Sequence, residues 1–166
     1  MLCDNDNRRY RIEMKLITVN NEKSFEEVLA YFNDSSDSIE VKENDQNLKG
    51  IEGNIYGLYV EGRLMYIGER QKGKISSRLN MHLHSCPKGT NSKLSDVKAA
   101  YRSGQKVSYK TLLIEPDYQR YALETYLIQN INPLSWNVRD KKKVITFETA
   151  DDDENVISVE SVSETN

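Results

Sequence analysis

Two places in the chain combine residue types and spacing that could do chemistry: Arg78 with His82, and Glu124. Ile75, Leu79 and Leu83 recur every fourth residue, so 74–83 reads as an amphipathic helix. Arg78 and His82 are also four apart and share a face beside that stripe. A guanidinium can bind two phosphate oxygens in one plane and neutralise charge that gathers on a phosphoryl group. Left in water, it is an ordinary surface cation. Glu124 starts on or beside the apolar stripe of Leu123, Leu127 and Ile131. A bare carboxylate there costs roughly a few kcal/mol unless it is protonated, paired with a cation such as Arg78, or bound to a hard divalent ion. All three outcomes remain open at this level.

These groups need a scaffold, and the pattern supplies one. Ile55, Tyr56, Leu58, Tyr59 and Val60 read as a strand, Glu61-Gly62 as a tight turn, and Leu64, Met65, Tyr66 and Ile67 as the partner strand. The hairpin brings Tyr56 and Tyr66 onto neighbouring strands, where cross-strand aromatic packing is their ordinary role. Leu94, Val97 and Tyr101 place a helix within 92–103, and 107–114 is a third strand. Pro116-Asp117 opens the Glu124 helix, 121–131. Ahead of the hairpin, Tyr10, Ile12, Met14 and Leu16 alternate as a strand. Ser24 caps a short helix over 25–32, with Glu27 completing a capping box. Residues 33–47 are polar and acidic and read as a loop. The expected class is α+β, a small three-stranded antiparallel sheet flanked by helices with an N-terminal strand–helix extension.

Asn54-Ile55-Tyr56 and Tyr66-Ile67-Gly68, the Arg78-x-x-x-His82 helix, Glu124, and Pro133 followed by Trp136-Asn137 occur in a fixed order. Together they resemble the GIY-YIG nuclease superfamily, most closely its small free-standing phage or restriction-type members. Asn54 stands where the family has its first glycine, and Glu69-Arg70 follow Gly68. The resemblance implies a metal-dependent DNA endonuclease. Glu124 would hold one Mg²⁺ or Mn²⁺ ion per site, and Arg78 would neutralise developing charge. Tyr56 would act as general base, with His82 as the alternative. Tyr66 would hydrogen-bond phosphate or water, and the products would carry 5′-phosphate and 3′-hydroxyl ends. Gly68 and Asn137 would be structural, Asn137 through an amide bonded to core backbone. The rival readings are a non-catalytic nucleic-acid-binding module of the same fold and a structure-specific repair nuclease.

Charge is partitioned along the chain. The whole sequence is −3, with 23 basic and 26 acidic residues. Residues 53–143 hold 16 basic and 7 acidic side chains, a net +9, whereas 1–52 and 144–166 are −5 and −7. The basic part coincides with the motifs, as binding to a DNA backbone requires. Arg70, Lys72, Lys74, Arg139, Lys141, Lys142 and Lys143 are its candidate DNA contacts. Three units follow: an N-terminal extension over 1–52, a core over 53–143, and an acidic tail over 144–166, expected to be disordered beyond Asp151. No stretch approaches the roughly 20 apolar residues of a membrane span. The N-terminus lacks a signal-peptide pattern, and two cysteines are too few for a disulfide framework, so a cytoplasmic location is expected. His82, His84 and Cys86 offer three zinc ligands, but no second pair and no Cys-x-x-Cys accompanies them, so zinc is not expected. Cutting both strands with one site per chain suggests a homodimer or homotetramer.

Overall fold

In the computed structural model the described residues are 15–19, 21–42, 48, 50–71, 73–83, 94–131, 137, 143–149 and 155–161, with 94–95, 143–149 and 155–161 described as backbone only. The expected strand over 10–14 lies outside them. Strand β1 is Leu16–Thr18, helix α1 Glu22–Asn33 and strand β2 Ile39–Glu40. The hairpin is β3 (Ile55–Val60) and β4 (Arg63–Glu69). Helices α2 (Ile75–Leu83) and α3 (Leu94–Arg102) follow, then strand β5 (Val107–Glu115). A 3-10 turn at Asp117–Gln119 leads into helix α4 (Arg120–Asn130), and strands β6 (Lys143–Thr149) and β7 (Asn155–Ser161) end the described chain.

The sheet corrects the expected three antiparallel strands. It has five strands and is mixed. Strand β3 pairs antiparallel with both β4 and β5. The other side of β5 is shared: β2 pairs antiparallel near its start, Ile39 opposite Tyr109, and β1 pairs parallel near its end, Leu16 opposite Leu113. The two-residue β2 lies inside the polar stretch read as loop, too short to carry an alternation signal. The tail is a second correction, because β6 and β7 form an antiparallel hairpin from Lys143 opposite Ser161 to Thr149 opposite Asn155. Val156, Ile157 and Val159 carry strand propensity that the neighbouring acidic run obscured.

Helices cover both faces of the sheet, which is why β3 is buried at every residue. On one face, Phe25, Val28 and Phe32 of α1 and Leu123, Leu127 and Ile128 of α4 pack on Ile55, Tyr59, Ile67, Leu112 and Ile114. On the other, Ile75, Leu79 and Leu83 of α2 and Val97 of α3 pack on Tyr56, Leu58, Val60 and Tyr109. Each such burial is worth about 1.5–3 kcal/mol.

Helix α1 begins earlier than the Ser24 cap implied. Asn21 is the cap, with Oδ1 accepting from Ser24 N at 3.0 Å and Ser24 Oγ accepting from Asn21 N at 3.2 Å. Its C-terminal carbonyls are satisfied by the sheet beneath. Lys110 Nζ donates to Tyr31 O (2.9 Å) and Asp34 O (2.8 Å), and Tyr59 Oη donates to Phe32 O (2.8 Å). Lys110 is only 2 % exposed. Burial pulls its pKa below the ordinary lysine value. The helix terminus and the Tyr31 ring, 4.1 Å from Nζ, stabilise the cation. Lys110→Met keeps the stem and removes both bonds. It should destabilise the protein by roughly 1–3 kcal/mol in denaturant melts, because two carbonyls lose their donor. An unchanged midpoint would show that solvent replaces Lys110 without cost.

Candidate active site

The site is set up by the geometry of β4. Between the pairs Leu58–Tyr66 and Tyr59–Leu64 the register shifts, leaving Met65 as an extra residue. Regular alternation would put Leu64 and Tyr66 on one face. The bulge separates them, so Leu64 joins the α1/α4 core and Tyr66 turns to the α2/α3 face beside Tyr56. The tight turn beneath is built by Glu61 and Gly62, both with positive φ (50° and 76°), the pattern of a type I′ hairpin.

Helix α2 is tied to the segment ahead of β3 much as a strand would be. Ser76 Oγ accepts from Ile51 N and donates to Ile51 O, both at 2.9 Å, and Asn80 Oδ1 accepts from Leu48 N at 3.0 Å. These polar residues were not recognised from sequence; their i, i+4 spacing was the available signal. With that face held, Arg78 and His82 point at the hairpin.

Four side chains converge there. Tyr56 Oη lies 2.9 Å from His82 Nε2. The Tyr66 ring is 5.9 Å from that of Tyr56 and 5.3 Å from that of His82. The Arg78 guanidinium lies close enough to both tyrosine hydroxyls for its charge to oppose the rise in their pKa values. Depth divides the group: Tyr56 is 0 % and His82 2 % exposed, whereas Tyr66 and Arg78 reach the surface. Burial and the neighbouring Tyr66 push the Tyr56 pKa well above 10, against the pull of Arg78. Burial and then the Arg78 charge lower His82 to about 3, so its imidazole is neutral. His82 Nδ1 is buried with no hydrogen-bond partner among the described residues.

Glu124 reaches this face around the sheet edge. Strand β4 is the outer strand, and its outward N–H groups need partners. Ile67 N donates to Asn137 Oδ1 (2.8 Å), Asn137 Nδ2 donates to Ile67 O (2.7 Å), and Glu69 N donates to Glu124 Oε1 (3.1 Å). The Glu124 charge also raises the Tyr66 pKa, second to burial. Tyr56 Oη lies across Gly68, where a Cβ would meet it at 2.5 Å. Through Gly68 and Glu69, bond lengths bound the distance from Tyr56 Oη to the Glu124 carboxylate at under about 10 Å.

Glu69, beside the site in sequence, does not offer a free charge to it. Its carboxylate is 2.6 Å from Arg120 Nε, and Arg120 Nη1 is 2.6 Å from Asp117 Oδ2. Asn54 completes the corner, donating to Asp117 Oδ1 (2.9 Å) and Ile114 O (2.9 Å) while accepting from Ile114 N (2.8 Å). Asn54, Asp117 and Arg120 were all missed as positioning residues, although Asp117 and Arg120 stand at helical i, i+3 spacing.

Among the candidate phosphate contacts, Arg70 and Lys74 are exposed on the loop between β4 and α2. Lys72, Arg139, Lys141 and Lys142, together with His84, Cys86, Pro133 and Trp136, lie outside the described residues, and Lys143 is described only as backbone. Among the described residues no three His, Cys, Asp or Glu side chains gather into a metal cage, and no helix is long and apolar enough to cross a membrane. A magnesium ion typically uses one or two carboxylates with substrate phosphate and water, and at this site Glu124 would be the carboxylate. Compared with family models, curated proteins and solved structures, the chain matches none.

Two outcomes test this geometry. Gly68→Ala should displace the Tyr56 ring, costing roughly 1–3 kcal/mol through overpacking. The Tyr56–His82 bond should weaken with it, read as a changed His82 imidazole resonance in NMR; an unchanged resonance would mean the Cβ is accommodated. The second concerns acid. His82 has a folded pKa below its unfolded value, so the unfolded chain binds the extra proton between about pH 6.5 and 3. Its contribution to stability is full above that window and is lost as pH falls through it, by up to about 3 kcal/mol at pH 4. His82→Gln should therefore show a flatter decline of stability with acid than the wild type, and parallel curves would contradict the buried neutral imidazole.

Proposed function

We propose that the protein is a DNA endonuclease of the GIY-YIG type that hydrolyses a phosphodiester with the help of one divalent metal ion. The observation that carries this reading is the convergence of Tyr56, Tyr66, Arg78 and His82 on one face, with Glu124 arriving at its edge. These groups come from four separate elements, β3, β4, α2 and α4, and no packing requirement asks for an arginine, a histidine and two tyrosine hydroxyls together. The net +9 of residues 53–143 supports a polyanionic partner.

The division by depth supports the following roles. Arg78 and Tyr66 form the outer layer and receive the scissile phosphate, Arg78 neutralising charge as the transition state forms. Glu124 would hold Mg²⁺ or Mn²⁺ against that phosphate, where the ion polarises the phosphoryl group and lowers the pKa of bound water. Tyr56 and His82 form the inner layer and take the proton. A free Tyr56 phenolate is disfavoured by its burial. Tyr56 therefore works as a relay: its Oη accepts the proton of the attacking water through the Tyr66 hydroxyl while its own proton passes to His82 Nε2. Water oxygen bonds to phosphorus, the bond to the 3′ oxygen breaks, that oxygen takes a proton from solvent to leave as the hydroxyl, and His82 afterwards returns its proton to solvent. The Arg78 charge, second to burial, resists protonation of His82, and a bound phosphate offsets that charge at the step where the proton arrives.

Purified protein incubated with supercoiled plasmid should nick or linearise it with Mg²⁺ and leave it intact with EDTA. Glu124→Ala should abolish cleavage and keep DNA binding, and Arg78→Ala should lose roughly 10²-fold or more. Tyr56→Phe keeps the buried ring and should fold and bind normally while losing most activity. A wild type that binds DNA without cutting in Mg²⁺ would favour the non-catalytic module, and a Tyr56→Phe enzyme at full rate would remove the relay.

A further inference from the structure

Among the described residues only three large apolar side chains are exposed: Leu16, Tyr118 and Tyr121. Two of the three stand together at the start of α4. Tyr118 is 75 % exposed in the 3-10 turn and Tyr121 is 41 % exposed in the first turn of the helix. They are three residues apart, and Glu124 is three residues further on, so the three positions form one stripe. Helix rise puts Tyr121 roughly 5 Å and Tyr118 roughly 10 Å along the axis from Glu124.

The corner that carries them is fixed rather than loose. Arg120, between the two tyrosines, is bonded at once to Glu69 of β4 and to Asp117 of the turn, and Asn54 bonds Asp117 from β3. The stripe is thereby held in a set relation to the Glu69 N–H that grips Glu124. The same pairing occupies the corner's guanidinium, which is held between two carboxylates. What it presents outward is ring surface, not cationic charge, and this selects the chemistry of its occupant. A phosphate would find its cations at Arg78 instead. A nucleobase offers a π face that stacks on tyrosine, and in a paired duplex that face is covered by its neighbours.

We infer that Tyr118 and Tyr121 are a stacking site for unpaired DNA bases about one to three nucleotides from the bond held at Glu124, using a strand rise of about 3.4 Å per nucleotide. The inference rests on the nuclease reading and narrows its substrate to DNA with an unpaired stretch beside the cut.

The test uses duplex oligonucleotides of randomised sequence with a short unpaired bubble, and the fully paired equivalents. With 2-aminopurine in the bubble, and EDTA present so that nothing is cut, wild-type protein should quench the fluorescence of the unpaired base. Tyr118→Ala/Tyr121→Ala should lose the quench, and Tyr118→Phe/Tyr121→Phe should keep it, since the ring is what stacks. In Mg²⁺ the alanine pair should cut the bubble substrate roughly ten- to a hundredfold more slowly, in line with losing base–aromatic stacking, and leave its thermal melt unchanged. An alanine pair that quenches and cuts like the wild type overturns the stacking site and leaves the nuclease reading standing. A wild type that quenches through these tyrosines but never cuts overturns the nuclease reading and leaves the stacking site standing.

Discussion

An edge strand must find partners for its outward backbone groups, and the candidate site is built from how β4 meets that demand. Its inner side pairs with β3; among the described residues no strand pairs with its outer side. Asn137 supplies both an acceptor and a donor to Ile67, reproducing what a neighbouring strand residue would offer. Glu124 supplies the acceptor to Glu69 N. A carboxylate that rises from the α4 layer is drawn to the rim of the opposite face by a backbone N–H. The amide bond makes the carboxylate's position a property of the sheet, and the sheet is also what carries Tyr56 and Tyr66. Structural need and proposed chemistry thus meet in one hydrogen bond.

The interior of the cluster is arranged against charge. Tyr56 is held protonated and His82 neutral by burial, while Arg78, close to both, keeps its charge near the surface. Without a substrate the site carries a cation outside and an uncharged donor–acceptor pair inside. In the proposed reaction a bound phosphate would offset the Arg78 charge, which favours a proton on His82.

Much of this could be read from residue order, and what could not was lost for identifiable reasons. The hairpin around Glu61-Gly62, the α2 stripe and the α4 stripe each carried a full period of apolar residues, and each formed within a residue or two of its expected bounds. Strand β2 has two residues and no period. The parallel pairing of β1 with β5 joins segments nearly a hundred residues apart, which no local pattern encodes. The cap of α1 moved because asparagine and serine three residues apart compete for one role, and the outcome is decided by which backbone N–H each can reach. In the tail, the Asp151–Glu154 charge masks the strand-forming residues just beyond it. At the site, the residue types were visible, but the groups that position them were not. Asn54, Ser76, Asn80 and Arg120 look like surface polar residues until the tertiary contacts are known.

The Met65 bulge shows why residue identity alone underdetermines such a site. A tyrosine two positions after a core leucine in a strand is expected to share that leucine's face, which here would bury Tyr66 against α4 and leave Arg78 with one hydroxyl instead of two. One extra residue in β4 restores the pairing at Tyr66–Leu58 and turns the remainder of the strand over. Gly68 then falls opposite Tyr56, where only the absence of a side chain lets the phenol lie flat across the strand and extend to His82. The bulge, the glycine and the buried histidine are therefore one device. The first chooses the face, the second clears the path, and the third receives the hydroxyl at its end. Changing any one of them removes the reason for the other two.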